Sequence, residues 1–476
     1  MIFNSIDFSI FLPIVFIIYW LIPSEQYKIQ NSWLVIASYV FYGWWDYRFL
    51  SLIFISSVVD YLVSRSIEST IKTARKRLLL YVSLTVNLSL LFFFKYYNFF
   101  IESLVDAYTL FGVTLDVWTL NIILPVGISF YTFQTLSYSI DVYRGKIKPT
   151  KDFVAFSSYV SFFPQLVAGP IERASRLLPQ FERSRTFDSQ LAIDGCRQIL
   201  WGLVKKVVIA DRCAEFVNII FENPAEQSGS TLALGAMLFA FQIYGDFSGY
   251  SDMAIGISKL FGFRLSQNFS YPYFSRDIAE FWRRWHISLS TWFRDYLYIP
   301  LGGNKGSQSK RIRNTFVIFL VSGFWHGANW TFIFWGLLHS LFFLPLLLLK
   351  KNRKHKDIVA ANRHLPNGKD LIRMLTTFLL VSLAWVFFRS ESITQAMFYI
   401  DGMIDYSLFS WPRYLPLSLL ILIAFFTVIE WRGRFCDHPL EVLTQNVFIR
   451  WLIYVLLALL ILLSKGNPQD FIYFQF

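Results

Sequence analysis

A histidine lies inside one of the most apolar stretches of the chain. Residues 315–349 are almost unbroken Phe, Val, Ile, Leu and Trp, yet they contain His326, flanked by Trp325 and Asn329. A charge at the bilayer centre costs roughly 2.5 kcal/mol or more, so an ionisable residue at this depth is by default a functional candidate. A neutral imidazole avoids most of that cost and still accepts a proton, so we predict that His326 is a general base. Trp325 and Asn329 are candidates to frame or orient it, and a structural histidine that bonds across helices is the alternative.

A second histidine, His286, follows a segment that combines cations with aromatic rings. Arg283 and Arg284 stand between Trp282 and Trp285, so the segment is too charged to span a membrane and too aromatic for a free loop. We expect it at the membrane interface or dipping inward. If His286 faces His326 across a cavity, one ring can deprotonate an acceptor while the other orients it or stabilises developing charge. In the alternative, the arginines and their aromatic neighbours only anchor the chain at phosphate headgroups.

Two carboxylates, Asp246 and Asp252, lie six residues apart among glycines and aromatic residues. The favoured interpretation is structural: they cap a broken helix or pair with Arg283 or Arg284. A polar channel lining is the alternative. His339, 13 residues beyond His326, would lie about 20 Å away on a straight helix and is interpreted as structural.

The composition indicates a polytopic membrane protein. Apolar residues make up 55% of 476 positions and charged residues only 16%, a balance expected of a chain solvated by lipid. The net charge of +12 comes from lysines and arginines in short loops, as the positive-inside bias requires, so nucleic-acid binding is not predicted. Cys196, Cys213 and Cys436 form no CxxC pair, so neither a disulfide framework nor a metal site is predicted.

Apolar runs predict a series of membrane helices. A hairpin is expected over 315–349, with His326 at a broken turn. Clear spans are expected near 6–22, 31–45, 49–64, 78–100, 120–140, 371–388, 413–431 and 447–463. Runs at 153–168, 191–210 and 231–263 are interrupted by Pro, Gly, Asp or Lys, so broken helices are expected in the protein interior. The basic loop 65–77 predicts an extracytoplasmic N-terminus. We expect one integral-membrane domain over 1–476, with N-terminal spans at 1–110, a catalytic core at 120–350 and C-terminal spans at 371–476.

The sequence around both histidines resembles the membrane-bound O-acyltransferase family, and more narrowly its bacterial branch typified by the membrane subunit of alginate O-acetylation. Other matching segments extend the resemblance over most of residues 1–345 and to the terminus: Ala37–Tyr42, Leu124–Tyr131, Ala168–Pro170, Asp246–Asp252, Tyr296–Asn304 and Phe471–Phe476. The resemblance implies an all-α fold of many spans around a central funnel, with re-entrant and broken helices. It also matches His326 to the family's near-invariant histidine and His286 to its second conserved polar position.

The activity implied by the resemblance is acyl transfer, with acetyl favoured, from a cytoplasmic thioester to hydroxyls of an extracytoplasmic polysaccharide or cell-wall glycan. No bound cofactor is expected; acetyl-CoA is the favoured donor substrate. The implied partners are the lipid bilayer of the bacterial cytoplasmic membrane and a separate extracytoplasmic protein of the SGNH-hydrolase-like type. One departure is Gln165, where some polysaccharide-acetylating members carry His; if that position contributes to acceptor choice, alginate itself is not the expected substrate.

Two other functions fit parts of the sequence. One is D-alanyl transfer to teichoic acid from a carrier protein, by a relative with the same two histidines. The other belongs to a different class: a proton-coupled transporter in which His326 and Asp246 relay protons through broken helices. No inverted repeat is evident in the sequence, which disfavours the transporter.

Overall fold

The computed structural model describes the whole chain except residues 116, 118, 444, 465, 467, 468, 470 and 473–476. The end of the terminal family segment, Tyr473 to Phe476, therefore lies outside the described residues. Every regular element in the described part is helical, which confirms the predicted all-α class. The chain divides into two compact units, residues 1–195 with 254–266, and residues 196–253 with 267–476. The predicted single domain with three segments stays a prediction.

The first unit is built mainly from the N-terminal helices. Their bounds are α1 (Ile6–Leu21), α2 (Tyr27–Asp46), α3 (Leu50–Ser69), α4 (Thr73–Leu91), α5 (Tyr97–Thr109), α6 (Ile128–Tyr143), α7 (Phe153–Ser161), α8 (Phe163–Leu166) and α9 (Ala174–Phe181). The predicted span at 120–140 is wrong at its start, because residues 120–127 are not helical. Nearly all of α6 is buried. In the core of this unit, Asp60 of α3 accepts hydrogen bonds from Asn87 and Ser139, each at 2.8 Å. Small polar side chains therefore join neighbouring helices.

The second unit contains the remaining helices and all of the predicted site residues. Helices α10 (Ser189–Leu203) and α12 (Gly229–Leu260) contribute residues to both units. The others are α11 (Asp211–Glu222), α13 (Ile278–Arg284), α14 (Ile287–Phe293), α15 (Gln308–His326), α16 (Trp330–Leu348), α17 (Gly368–Arg389), α18 (Ile393–Ile404), α19 (Leu417–Gly433) and α20 (Val447–Leu463). The predicted break within 191–210 is present as a π-helical turn, Val204–Ala210. The predicted break within 231–263 is wrong: α12 is one continuous helix.

Within the described part of the chain, four helical segments are long and apolar enough to cross a membrane: Ser24–Ser69, Thr73–Thr109, Trp330–Leu348 and Gly368–Arg389. Two shorter apolar helices, α1 and α20, add to them. The chain is therefore a multi-pass membrane protein. The predicted orientation of its N-terminus stays a prediction.

Candidate active site

His326 is the last residue of α15, and the chain turns there into α16. Gly327 follows in an extended conformation, and Asn329 caps α16 by accepting a hydrogen bond from the backbone N of Thr331 at 2.9 Å. The side-chain amide of Asn329 donates to the carbonyl of Glu391 at 2.9 Å. The predicted broken turn at His326 is present. The hydrogen bonds of Asn329 fix the start of α16, so its described contacts are those of a cap and not of an orienter of the imidazole.

Glycines allow α15 and α16 to approach closely beside this turn. A Cβ on Gly323 would overlap the carbonyl oxygen of Phe332, and a Cβ on Gly336 would overlap that of Phe319. Only a residue without a side chain fits at these crossing points. The close contact holds His326 against the ring of Trp335, with 5.1 Å between ring centroids.

His286 lies between two short helices, α13 and α14, in a left-handed conformation with φ +42°. The segment around Asn268 holds this turn: Asn268 O accepts from Ile287 N at 2.9 Å, and Asn268 Oδ1 accepts from Ser288 N at 3.3 Å and Ser288 Oγ at 2.9 Å. The same Oδ1 lies 3.1 Å from Nδ1 of His286. The backbone N–H of Ser288 fixes the amide oxygen in this position, and an oxygen can only accept. Nδ1 of His286 therefore carries the proton, and Nε2 is the basic nitrogen of the neutral ring.

The rings of the two histidines lie close to each other inside the unit, an arrangement that the sequence analysis considered only as a condition for a shared site. Their ring centroids are 6.4 Å apart. His286 is 0% exposed and His326 3%. The indole of Trp325 lies beside both rings, at 6.1 Å from His286 and 5.0 Å from His326.

Burial keeps the imidazole of His286 neutral. His286 lies outside the candidate spans, and desolvation lowers its pKa to about 3. The aromatic rings of Phe247 at 4.7 Å and Trp325 complete an apolar surrounding. At neutral pH this residue can therefore accept a hydrogen bond at Nε2 and carries no charge.

A cavity of about 270 Å³ runs along α15, and neither histidine is among the described residues that line it. Its buried end is lined by Thr315, Phe319 and Ser322. Ser322 precedes His326 by four residues, or about one helical turn and about 6 Å along the axis. The other end carries the exposed side chains of Arg294 and Arg353. The cavity thus connects a cationic surface with the helix face that ends at His326.

The predicted arginines do not contact the histidines in the described structure. Arg284 forms a salt bridge with Glu280 at 2.8 Å and donates to the carbonyl of Ser270 at 3.3 Å. Arg283 donates to the carbonyls of Asn352 and His355. Both arginines therefore tie the α13 segment to neighbouring loops, which agrees more with a structural role than with substrate contact.

The predicted partners of Asp246 and Asp252 are wrong. Asp246 pairs with Lys206 at 2.8 Å, and Asp252 pairs with Lys205 at 3.0 Å, so neither carboxylate pairs with Arg283 or Arg284. Neither caps a broken helix, since both lie within continuous α12. Glu430 also lies 3.1 Å from Lys205. These paired charges join α12 to the π-helical turn and to α19.

Sequence reasoning missed Lys205 and Lys206 as well as Asn268. The two lysines are 4% and 2% exposed, respectively. A signal was present, because adjacent lysines inside the apolar run 191–210 must find carboxylate partners when buried. Asn268 offered no such signal, because a single amide in a loop is an ordinary sequence feature.

Gln165, where the sequence departs from the family pattern, lies in the first unit. It is buried in α8, and its amide donates to the carbonyl of Tyr159 at 2.8 Å. That bond ties α8 to α7, which gives the residue a local structural role.

Two buried imidazoles whose ring centroids are 6.4 Å apart, within a multi-pass helical protein, are features expected of a membrane enzyme. The chain matches the membrane-bound O-acyltransferase family over residues 39–379 and belongs to that family. It is therefore an O-acyltransferase, and the transporter alternative does not stand.

Curated relatives narrow the comparison. The chain is 43% identical over 408 residues to the probable alginate O-acetylase AlgI of Pseudomonas aeruginosa, covering 85% of this chain and 75% of the relative. It is 37% identical to the peptidoglycan O-acetyltransferase of Helicobacter pylori, covering 83% and 78%. It is also 30% identical to the teichoic acid D-alanyltransferase of Streptococcus thermophilus, covering 55% and 68%. All three are similar to this chain, and their acceptors differ.

Proposed function

We propose that this chain transfers an acetyl group from acetyl-CoA to a hydroxyl destined for an extracytoplasmic polysaccharide or cell-wall glycan, at the cytoplasmic membrane of a bacterium. The observation that carries the proposal is the 6.4 Å separation of the His286 and His326 rings. The similarity to an alginate O-acetylase and a peptidoglycan O-acetyltransferase supports acetyl as the acyl group and a glycan as the final acceptor.

In this proposal the cavity along α15 admits the donor. The exposed guanidinium of Arg353 at the mouth suits the phosphates of coenzyme A. The thioester reaches the buried end beside Ser322, one turn from His326. The acceptor hydroxyl binds beside His326, whose ring lies 6.4 Å from that of His286.

The chemical step requires no metal or bound cofactor in this scheme. His326 takes the proton of the hydroxyl, and the oxygen attacks the thioester carbonyl to form a tetrahedral oxyanion. The carbon–sulfur bond then breaks, and the proton passes to the departing thiolate, which leaves as coenzyme A. His286 accepts a hydrogen bond at Nε2 from another donor group of the acceptor molecule and so holds that molecule beside His326. A separate SGNH-hydrolase-like partner completes the transfer to the glycan outside the membrane.

The test is mass spectrometry of surface glycans from cells that lack the gene and carry either wild type or His326→Gln. Proton transfer by a positioned base contributes typically about 100- to 10,000-fold, so the variant should lose at least about 100-fold of the ester at equal protein abundance. His355→Gln, a loop histidine outside the cavity lining, is the matched control and should retain the ester. Unchanged ester content in the His326 variant would rule out its role as base.

D-alanyl transfer is the second candidate, because a teichoic acid D-alanyltransferase is among the relatives. The same glycan spectra separate the two functions, since an alanyl ester and an acetyl ester differ in mass. Purified protein in liposomes tests the donor: acetyl transfer from acetyl-CoA supports the first proposal, and transfer only from a carrier protein supports the second.

A further inference from the structure

A second cavity of the same unit, of about 980 Å³, is unrelated to the proposed acyl transfer. It lies between the loop 361–366, the start of α17 and the end of α19. Its walls are apolar, and its rim carries arginines. We call it the arginine pocket and define it by Phe274, Met374, Val428 and Trp431 in the walls and Arg363, Arg432 and Arg434 at the rim.

The arginine pocket is held together by one guanidinium. Arg434 is buried and donates hydrogen bonds to the carbonyls of Val359 at 3.2 Å, Ala360 at 3.1 Å and Arg363 at 2.9 Å. Its guanidinium also lies 4.3 Å from the ring of Trp431. These bonds fasten the loop to the end of α19. The pocket is therefore preformed, and Arg434 is needed to build it.

The charged side chains that line the arginine pocket are all cationic. Arg363 and Arg432 are exposed at the rim, and no Asp or Glu is among the described residues that line the cavity. Among the described residues, the Arg434 guanidinium donates to carbonyl oxygens and pairs with no carboxylate, so its positive charge is not neutralised there. The guanidinium group of arginine can donate two parallel hydrogen bonds to phosphate oxygens. The rim therefore favours an anion.

The walls show that this anion has an apolar part. Helix α17 is a candidate membrane span, and its first turns expose Leu371 and Ile372, the latter 66%. On α19, Val428 is 55% exposed and Phe425 65%. Such faces are solvated by hydrocarbon in a bilayer, so the pocket opens where headgroups meet acyl chains. A free phosphate or a nucleotide would use the rim and leave the walls unexplained.

We propose that the arginine pocket binds an anionic phospholipid, with the phosphate at Arg363 and Arg432 and the acyl chains along the exposed faces of α17 and α19. Basic pockets between membrane helices bind anionic headgroups in this way. The proposal concerns the second unit alone and does not depend on the acyl donor or acceptor.

The test is a lipid titration of the purified full-length chain by native mass spectrometry. The probes are phosphatidylglycerol, phosphatidylcholine with the same acyl chains, inorganic phosphate and coenzyme A. The variant is Arg363→Gln with Arg432→Gln, which spares Arg434. The matched control, Arg75→Gln with Arg77→Gln, removes the same charge from two exposed arginines at the start of α4. A third protein, Arg363→Lys with Arg432→Lys, keeps the charge.

Wild type and control should bind phosphatidylglycerol at least about 10-fold more tightly than phosphatidylcholine. A basic residue near an anionic surface contributes about 1 kcal/mol, so the glutamine variant should lose about 10- to 30-fold in phosphatidylglycerol affinity. The lysine variant should retain most of that affinity, with the melting temperature of all lipid-free proteins unchanged. Equal binding of both lipids by wild type, full binding by the glutamine variant, or displacement of the lipid by inorganic phosphate or coenzyme A would each overturn the proposal.

Discussion

The amide oxygen of Asn268 accepts a hydrogen bond from Nδ1 of His286 across 3.1 Å, and the backbone N–H of Ser288 holds that oxygen in place. This bond selects the tautomer of His286 with its basic nitrogen at Nε2. It makes Asn268 a positioning residue for the site.

Replacement of Asn268 should therefore alter the chemistry more than the fold. Asn268→Leu removes the acceptor, and because losing one buried hydrogen bond costs about 1–3 kcal/mol, we expect an activity loss of roughly 5- to 150-fold, mainly in kcat. Asn268→Asp keeps the acceptor but adds a negative charge, which raises the pKa of His286 because it stabilises the imidazolium. Activity then falls at a higher pH on acidification, so the acid limb of the pH profile should move upward. Identical pH profiles for wild type and Asn268→Asp would contradict this role.

His339 should behave differently from His326 although both are buried. Its Nδ1 accepts a hydrogen bond from Nε1 of Trp282 at 3.2 Å. His339→Phe leaves that indole N–H without its acceptor, which costs about 1–3 kcal/mol of stability. We expect a lower melting temperature and lower abundance, with turnover per folded molecule within a few-fold of wild type. A large loss of turnover at normal stability would place His339 in the chemistry.

The crossing of α15 and α16 should tolerate no added methyl group. Gly323→Ala places a Cβ against the carbonyl of Phe332, and backbone cannot move aside as a flexible side chain can. Overpacking of this kind typically costs about 1–3 kcal/mol, so the melting temperature and the acyl transfer should both fall. Gly368→Ala at the start of α17 is the control, since its Cβ would have no contact within 4 Å beyond its chain neighbours and the backbone of its own helix. Equal stability of the two variants would argue against the tight crossing.

The buried charges around Lys205 should respond to the removal of one partner. Lys205→Met leaves Asp252 and Glu430 buried without their cation, and such a loss typically destabilises by about 3–5 kcal/mol. Neutralising both carboxylates as well, with Asp252→Asn and Glu430→Gln, should recover most of the melting temperature. No recovery in the triple variant would show that Lys205 stabilises the protein by packing instead of by charge.

The sequence by itself determined the class of the protein and singled out His286 and His326 as candidate site residues. Long apolar runs fold as membrane helices, and an ionisable residue such as His326 is rare within such a run. The same contrast singled out Asp246 and Asp252. It could not name their partners, because Lys205 lies 47 residues before Asp252 and pairs with it only in three dimensions.

Only the tertiary structure decided which groups meet. Asn268 becomes informative because the fold brings it against His286, 18 residues further on. The sequence suggested that Asn329 orients the imidazole, but this residue caps a helix. It also suggested a break within 231–263, but α12 is continuous. Local composition does not reveal where a helix ends, because packing and hydrogen bonds can compensate for a residue with low helix propensity. The distance between His286 and His326 is likewise a property of helix packing, since the hydrophobic effect that buries both residues has no direction of its own.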